Sequence, residues 1–279
     1  MNATKIDGTI AGFDIDDTSL EQNPNFTADG AKDGRQFVVL CGSEVFINDT
    51  FKPSGDTLVN LREAFGATDP ATGELWGRIW DNQCKLSGEL TFEEHLRLQF
   101  EDVFRAISLE QAIEFAKRTM KPKKGFANFL KFLQSKSVTP VFITNGADLI
   151  AEPVIKHFFA DVLLQPPQPT IYANKLIGDQ LKGLHGSVGL AKGEVVKELG
   201  DVLFFFGDSG GGDGPGAQAV HDTGGHVFTL GGKGPSSLFA FASKNLNTGQ
   251  WTHLDDYETV PAQIVAQVLA SRQSSTATT

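Results

Sequence analysis

Three short apolar runs in this chain each end abruptly in polar, reactive residues. Thr9-Ile10-Ala11-Gly12-Phe13 leads into Asp14-Ile15-Asp16-Asp17-Thr18. Val138 to Ile143 leads into Thr144-Asn145-Gly146, and Val202 to Phe206 leads into Gly207-Asp208-Ser209-Gly210. Each run is short, β-branched or aromatic, and bounded by glycine or polar residues. That is the pattern of a strand buried on both faces, as in a parallel sheet. In a parallel sheet covered by helices, ligands bind beyond the carboxyl ends of the strands, where the strand order reverses. All three polar bursts would sit there.

Helical patterns separate the later strands. Phe126, Phe129, Leu130 and Leu133 follow an i, i+3, i+4, i+7 spacing. Further helices are predicted over Leu149–Phe159, Lys192–Leu199, Ala217–His221 and Val260–Arg272. Short strands are predicted at Asp161–Leu164 and His226–Leu230, a loop over Gly178–Gly189, and a frayed tail from Ser274. Alternating strands and helices predict an α/β, doubly wound, mostly parallel sheet.

Between Leu20 and Met120 the pattern is mainly helical. Candidate helices cover Asp56–Phe65, Ala71–Gln83, Thr91–Phe104 and Ser108–Met120, with a weak hairpin pattern over Gln36–Asn48. Thr91-x-x-Glu94 and Ser108-x-x-Gln111 are capping boxes. A stretch of about 100 residues is far more than a strand-to-helix crossover uses. Residues 21–120 are therefore predicted to be an inserted cap domain, and 1–20 with 121–279 the α/β core.

Composition narrows the partners. The 279 residues carry 34 acids against 24 bases, a net charge of −10. The densest basic stretch, Lys121-Pro122-Lys123-Lys124, is too short to neutralise much phosphate backbone, so nucleic acid is not the expected partner. The two cysteines, Cys41 and Cys84, form no CxxC pair and predict neither a disulfide scaffold nor a thiolate zinc site. No signal peptide or apolar stretch of spanning length is recognised, so the expectation is a cytoplasmic protein without a membrane partner. The 22 Phe, against 3 Trp and 2 Tyr, read as core filling.

The chemistry lies in the bursts. Asp14 and Asp16 leave a strand end on one side, two residues apart. Two close carboxylates either share a proton or take up a cation, and both outcomes are useful. A solvated acidic turn is the plain alternative. Asp208 and Asp213 form a second acidic pair within a glycine-rich loop. Brought together, the pairs would make a hard oxygen site suited to Mg²⁺. Thr144 and Asn145 offer a hydroxyl, an amide and backbone N–H groups to an anion. Lys192 opens a helix, where a cation opposes the helix dipole, which points to a role facing phosphate and Asp14.

Gly207-Asp208-Ser209-Gly210-Gly211 also satisfies GxSxG, with Asp222 or Asp255 and His226 or His253 downstream. A serine hydrolase using Ser209 is thus a competing reading. The histidines form no HxH or HxxxH pair.

In order and context, Asp14-Ile15-Asp16-Asp17-Thr18, Thr144, Lys192, and Asp208 with Asp213 resemble the haloacid dehalogenase-like superfamily of phosphatases. The insert resembles the helical cap of its phosphoserine-phosphatase-like branch. The two final acids stand one residue farther apart than that branch's pattern, and Glu21–Lys52 is longer. The resemblance implies a Mg²⁺-dependent phosphatase for a small phosphorylated metabolite. It implies Asp14 as nucleophile through an aspartyl-phosphate, and Asp16 as the acid and base. Thr144, Asn145 and Lys192 would hold phosphate, and Asp14, Asp16, Asp208 and Asp213 would form the metal site. An acid at Asp16 favours phosphoester chemistry, whose alcohol leaving group needs a proton. Arg78, Lys85, Arg97 and Arg105 are candidate contacts for a further anionic group. A non-catalytic binding protein of the same fold is the remaining alternative.

Overall fold

The computed structural model describes residues 8–15, 18–22, 109–163, 170–178, 180–183, 191–258 and 260–276. In chain order the elements are β1 (Ile10–Phe13), β2 (Leu20–Gln22), α1 (Leu109–Thr119), β3 (Met120–Pro122), α2 (Phe126–Ser135), β4 (Thr139–Ala147) and α3 (Asp148–Leu163). They continue with β5 (Thr170–Asn174), β6 (Leu176–Ile177), β7 (Gln180–Leu181), α4 (Lys192–Leu199), β8 (Val202–Gly207), α5 (Gly214–Asp222), β9 (His226–Thr229), α6 (Leu238–Asn245), β10 (Trp251–His253) and α7 (Val260–Thr276).

Six strands form one parallel sheet in the order β10-β9-β8-β1-β4-β5. From β1 the chain winds outward through β4 and β5, then returns to the other side of β1 with β8. The order therefore reverses between β1 and β8, and the carboxyl ends of those two strands flank the resulting crevice. Registry brings the ends level: Phe13 pairs with Phe142 on β4 and with Phe206 on β8.

Both faces of the sheet are buried, as the unbroken apolar runs predict. Odd and even positions go to different cores. Ala11, Phe13, Phe142, Phe204, Phe206 and Phe228 face a layer built on α2 and α3. Ile10, Val141, Ile143, Val202, Phe205 and Val227 face a second layer of α4, α5 and α6. Phenylalanine fills the first layer. The rings of Phe13 and Phe206 stack at 4.4 Å, and those of Phe206 and Phe228 also at 4.4 Å, making a ladder across three neighbouring strands. Phe126, Phe129, Leu130 and Leu133 of α2 are all buried against it.

The predicted helices over Leu149–Phe159, Lys192–Leu199 and Ala217–His221 are present as α3, α4 and α5. The predicted Asp161–Leu164 strand is not: Asp161–Leu163 closes α3, and the edge strand is β5. Val162 is buried there, and its carbonyl accepts a hydrogen bond from Gln134 Nε2 at 3.0 Å. So short an apolar run cannot be told from a helix end by periodicity alone. At the C-terminus α7 continues to Thr276, past the predicted start of fraying. Within Gly178–Gly189, the described residues include a small β6–β7 hairpin pair instead of loop throughout.

Most of the expected cap, including its first three predicted helices, the Gln36–Asn48 pattern and all four candidate basic contacts, lies outside the described residues. Of its last predicted helix, α1 packs against α3 and contributes Ala116 to the first core. β2 and β3 pair antiparallel, which brings Leu20–Gln22 and Met120–Pro122 side by side. No helix among the described residues is long and apolar enough to cross a membrane.

Candidate active site

Asp14 and Asp208 each follow the last residue of a strand at the reversal point. The Asp14 N–H donates to the Phe206 carbonyl at 2.9 Å, which ties one strand end to the other. Ser19 Oγ donates to the Asp14 carbonyl at 2.6 Å, and Thr18 Oγ1 donates to Asp208 Oδ1 at 3.2 Å. The loop after β1 is thus fastened to both acids. One carboxylate oxygen from each of Asp14, Asp208 and Asp213 lies within 4.8 Å of the others.

Lys192 resolves the misfit of a cation at a helix start. It is only 1% exposed, and its Nζ lies 2.7 Å from Asp14 Oδ1 and 2.6 Å from Asp213 Oδ1. Two buried carboxylates outweigh the unfavourable helix dipole, a surface effect of roughly 0.3–1 kcal/mol. The contact with Asp213 is a hydrogen bond, whereas Asp14 Oδ1 has close contact but no well-aligned donor.

Asp213 acts as the keystone of the last loop. Its Oδ1 accepts from Lys192, and its Oδ2 accepts from the N–H groups of Asp208 at 2.9 Å and Ser209 at 3.0 Å. Gly207 makes this possible. A Cβ there would lie 2.6 Å from both Cγ and Oδ2 of Asp213, so no larger residue leaves room for that carboxylate. Sequence spacing offers Asp213 as a metal ligand. The fold keeps it in the cluster that could hold a metal ion, and both its oxygens also accept hydrogen bonds, which ties it to Lys192 and to the Asp208 backbone.

The electrostatics follow from burial. Asp14 has its pKa pushed up to about 7, first by burial and then by the charge of Asp213, with Lys192 pulling the other way. Burial works against the Lys192 ammonium, but the charges of Asp14 and Asp213 and the hydrogen bond to Asp213 hold its pKa above the ordinary lysine value. Among the described residues, three carboxylates gather around one ammonium. A divalent hard cation fits that charge, that donor set and the poorly satisfied Asp14 Oδ1.

β4 runs through Thr144 and Asn145, and α3 begins only at Asp148. The Gly146 N–H donates to Thr144 Oγ1 at 3.1 Å, so that amide is taken by the side chain before any anion. Asn145 is buried. Its carbonyl accepts from Asn174 Nδ2 at 2.6 Å, its Oδ1 has no donor, and its Nδ2 lies 3.2 Å from where a Cβ on Gly212 would sit. Asn145 thus lies beside the glycine-rich loop between Asp208 and Asp213. Asp16 lies outside the described residues.

The alternative triad does not assemble. Ser209 Oγ accepts from the Gly212 N–H at 2.9 Å. His226 Nε2 pairs with Thr252 Oγ1 and His253 Nδ1 with Thr229 Oγ1, each at 3.0 Å, and neither ring meets Ser209. Sequence reasoning missed the tie from Thr18 to Asp208, although Thr18 stands inside the first acidic burst.

No protein-family model and no curated protein matches the chain. Solved structures do. A probable phosphoserine phosphatase from Vibrio cholerae superposes with a TM-score of 0.54 at 13% identity, covering 98% of this chain and 69% of that one. A protein of unknown function from Bordetella pertussis Tohama I gives 0.50 at 15% identity, covering 90% and 99%. A substrate-bound phosphoserine phosphatase gives 0.46 at 15% identity, covering 81% and 87%. At these identities the likeness is one of fold: the chain shares a doubly wound, parallel α/β core with the Vibrio cholerae structure.

Proposed function

We propose that the chain is a phosphoric monoester hydrolase of the haloacid dehalogenase type, acting on a small phosphorylated metabolite with Mg²⁺. The observation that carries this reading is the buried bridge of Lys192 between Asp14 and Asp213, with Asp208 beside them at the strand-order reversal. An ion pair kept only for stability gains little from such burial. A site that must accept a phosphoryl group and a cation gains a great deal.

Asp14, Asp208 and the backbone carbonyl of Asp16 would hold the cation, with Asp213 steadying Asp208 and Lys192 from behind. Bound there, Mg²⁺ supplies charge that lets a carboxylate approach an anionic phosphate. A carboxylate oxygen of Asp14 attacks phosphorus, the bond from phosphorus to the ester oxygen breaks, and Asp16 gives that oxygen a proton. Asp16 then takes a proton from water, whose oxygen attacks the phosphorus of the aspartyl-phosphate. Inorganic phosphate leaves and Asp14 is restored. Lys192, Thr144 and Asn145 hold the transferring group and balance its charge. Residues 21–120 would cover the crevice and select the substrate. A cytoplasmic location, with neither nucleic acid nor membrane as partner, completes the proposal.

The test is Asp14→Asn. Phosphate release from an aryl phosphate in the presence of Mg²⁺ is expected to fall to background while the melting temperature is kept. Turnover that survives in this variant removes Asp14 as nucleophile and the reading with it.

A further inference from the structure

β4 does not run evenly into its polar end. Ile143 pairs with Tyr172 on β5, and the next pairing is Ala147 with Asn174, so β4 advances four residues where β5 advances two. The extra length forms a bulge over Thr144, Asn145 and Gly146, which carries both residues of this strand assigned to phosphate. Bulges re-aim side chains beside active sites, and they interrupt the ladder, so backbone groups there need other partners. The Gly146 N–H finds one in Thr144 Oγ1.

The Asn145 carbonyl finds one in Asn174. That side chain is fully buried at the end of β5, and its Nδ2 donates to the Asn145 carbonyl at 2.6 Å. A fully buried asparagine in a strand is uncommon, because an apolar residue packs there without the cost of desolvating an amide. Asp148 fastens the same strand end beyond the bulge. Its Oδ1 accepts from the Leu176 N–H at 3.0 Å and from the Leu149 N–H at 2.8 Å, and Lys175 Nζ lies 3.1 Å from its Oδ2. Those contacts join β5 to the start of α3 without Asn174. Among these groups, Asn174 is the one that reaches from β5 to the bulge itself.

We propose that Asn174 is a positioning residue of this site: by holding the Asn145 carbonyl it fixes the bulge that presents Thr144 and Asn145 to the transferring phosphate. The inference rests on the phosphatase reading above, and it adds a residue of β5 from outside the sequence motifs.

Asn174→Ala removes the donor and leaves the Asp148 contacts in place. Calorimetry with Mg²⁺ alone, then with inorganic phosphate at saturating Mg²⁺, reads the two ligands separately. Phosphate affinity is expected to fall at least about tenfold and phosphate release up to about a hundredfold, the scale of a displacement near 1 Å. Mg²⁺ affinity is expected to stay within about twofold, as for a site the change does not touch. A residue with a merely structural role would lower the melting temperature without separating the two ligands. Asn174→Asp has the same shape, donates when protonated and repels the carbonyl when ionised. Its phosphate affinity relative to wild type is expected to improve from about pH 8 to about pH 5, while that of Asn174→Ala does not. Undiminished phosphate affinity in Asn174→Ala, or an equal loss for phosphate and Mg²⁺, overturns the role of Asn174 and leaves the phosphatase reading standing. If Asn174→Ala does not fold, Asn174→Asp decides, and a ratio to wild type that does not change with pH overturns the role. A wild-type protein that neither binds nor releases phosphate brings down the phosphatase reading, and this role with it.

Discussion

Lys192→Met replaces the one ammonium between Asp14 and Asp213 with an apolar side chain of similar length. Two close contacts, at 2.7 and 2.6 Å, are lost in a place with almost no solvent. The carboxylates left behind approach within 4.8 Å of one another. At an effective dielectric constant near 20, two charges at that separation repel by roughly 3 kcal/mol. Removing one partner of a buried ion pair typically costs about 3–5 kcal/mol. The two figures agree in scale, so a loss of about 3–5 kcal/mol is expected near pH 8.

The loss is expected to depend on pH. The Asp14 pKa stands at about 7 in the folded protein, above its ordinary 3.8. A carboxyl raised on folding contributes stability at low pH and loses it as pH rises through the folded value. Without Lys192 that value climbs further, so urea titrations at about pH 5 should show a smaller defect than at about pH 8. Mg²⁺ should recover part of the defect, because a ligand that binds only the folded state stabilises it. Asp213→Asn in the same chain should recover more, since it removes the repulsion itself, giving a coupling energy of about 1–3 kcal/mol in a double-mutant cycle. A defect under about 1 kcal/mol near pH 8, or one that Asp213→Asn does not relieve, would refute the electrostatic account of the site.

Gly207→Ala should cost about 1–3 kcal/mol by overpacking, and it should weaken phosphate release, because the new methyl would displace the carboxylate that orients Lys192 and Asp208; wild-type activity and melting temperature in this variant would contradict the placement of Asp213. His226 is expected to leave an acid limb in stability. Burial pushes its pKa down to about 4 from 6.5, so stability tied to the neutral ring is complete above 6.5 and is lost as pH falls toward 4. His226→Gln should flatten that limb, and a difference between wild type and variant that does not change from pH 6.5 to pH 4 would count against a buried neutral histidine.

Much of the site was legible because its chemistry is local. Asp14 and Asp208 each follow an apolar run at once, and a run of that kind ends where the sheet ends. Lys192 was legible as a misfit, a cation at a helix start with no local reason to be there. Asp213 was legible as an acid of the cluster, but its hydrogen bonds were not. The direction of its two oxygens depends on the missing side chain of Gly207 and on two N–H groups in a turn, and linear spacing does not encode a turn's shape.

Buried-strand hydrophobicity, helical periodicity and the polar endings determined by themselves that this chain builds a doubly wound α/β sheet with acids at its carboxyl edge. Those signals come from residues within a few positions of each other, where the backbone alone sets which side chains share a face. Only the tertiary structure decided which strands lie beside β1, and that Lys192 reaches between Asp14 and Asp213. Those contacts join segments far apart along the chain. They exist because packing two layers of side chains onto one sheet admits few arrangements, and no stretch of sequence carries that constraint alone.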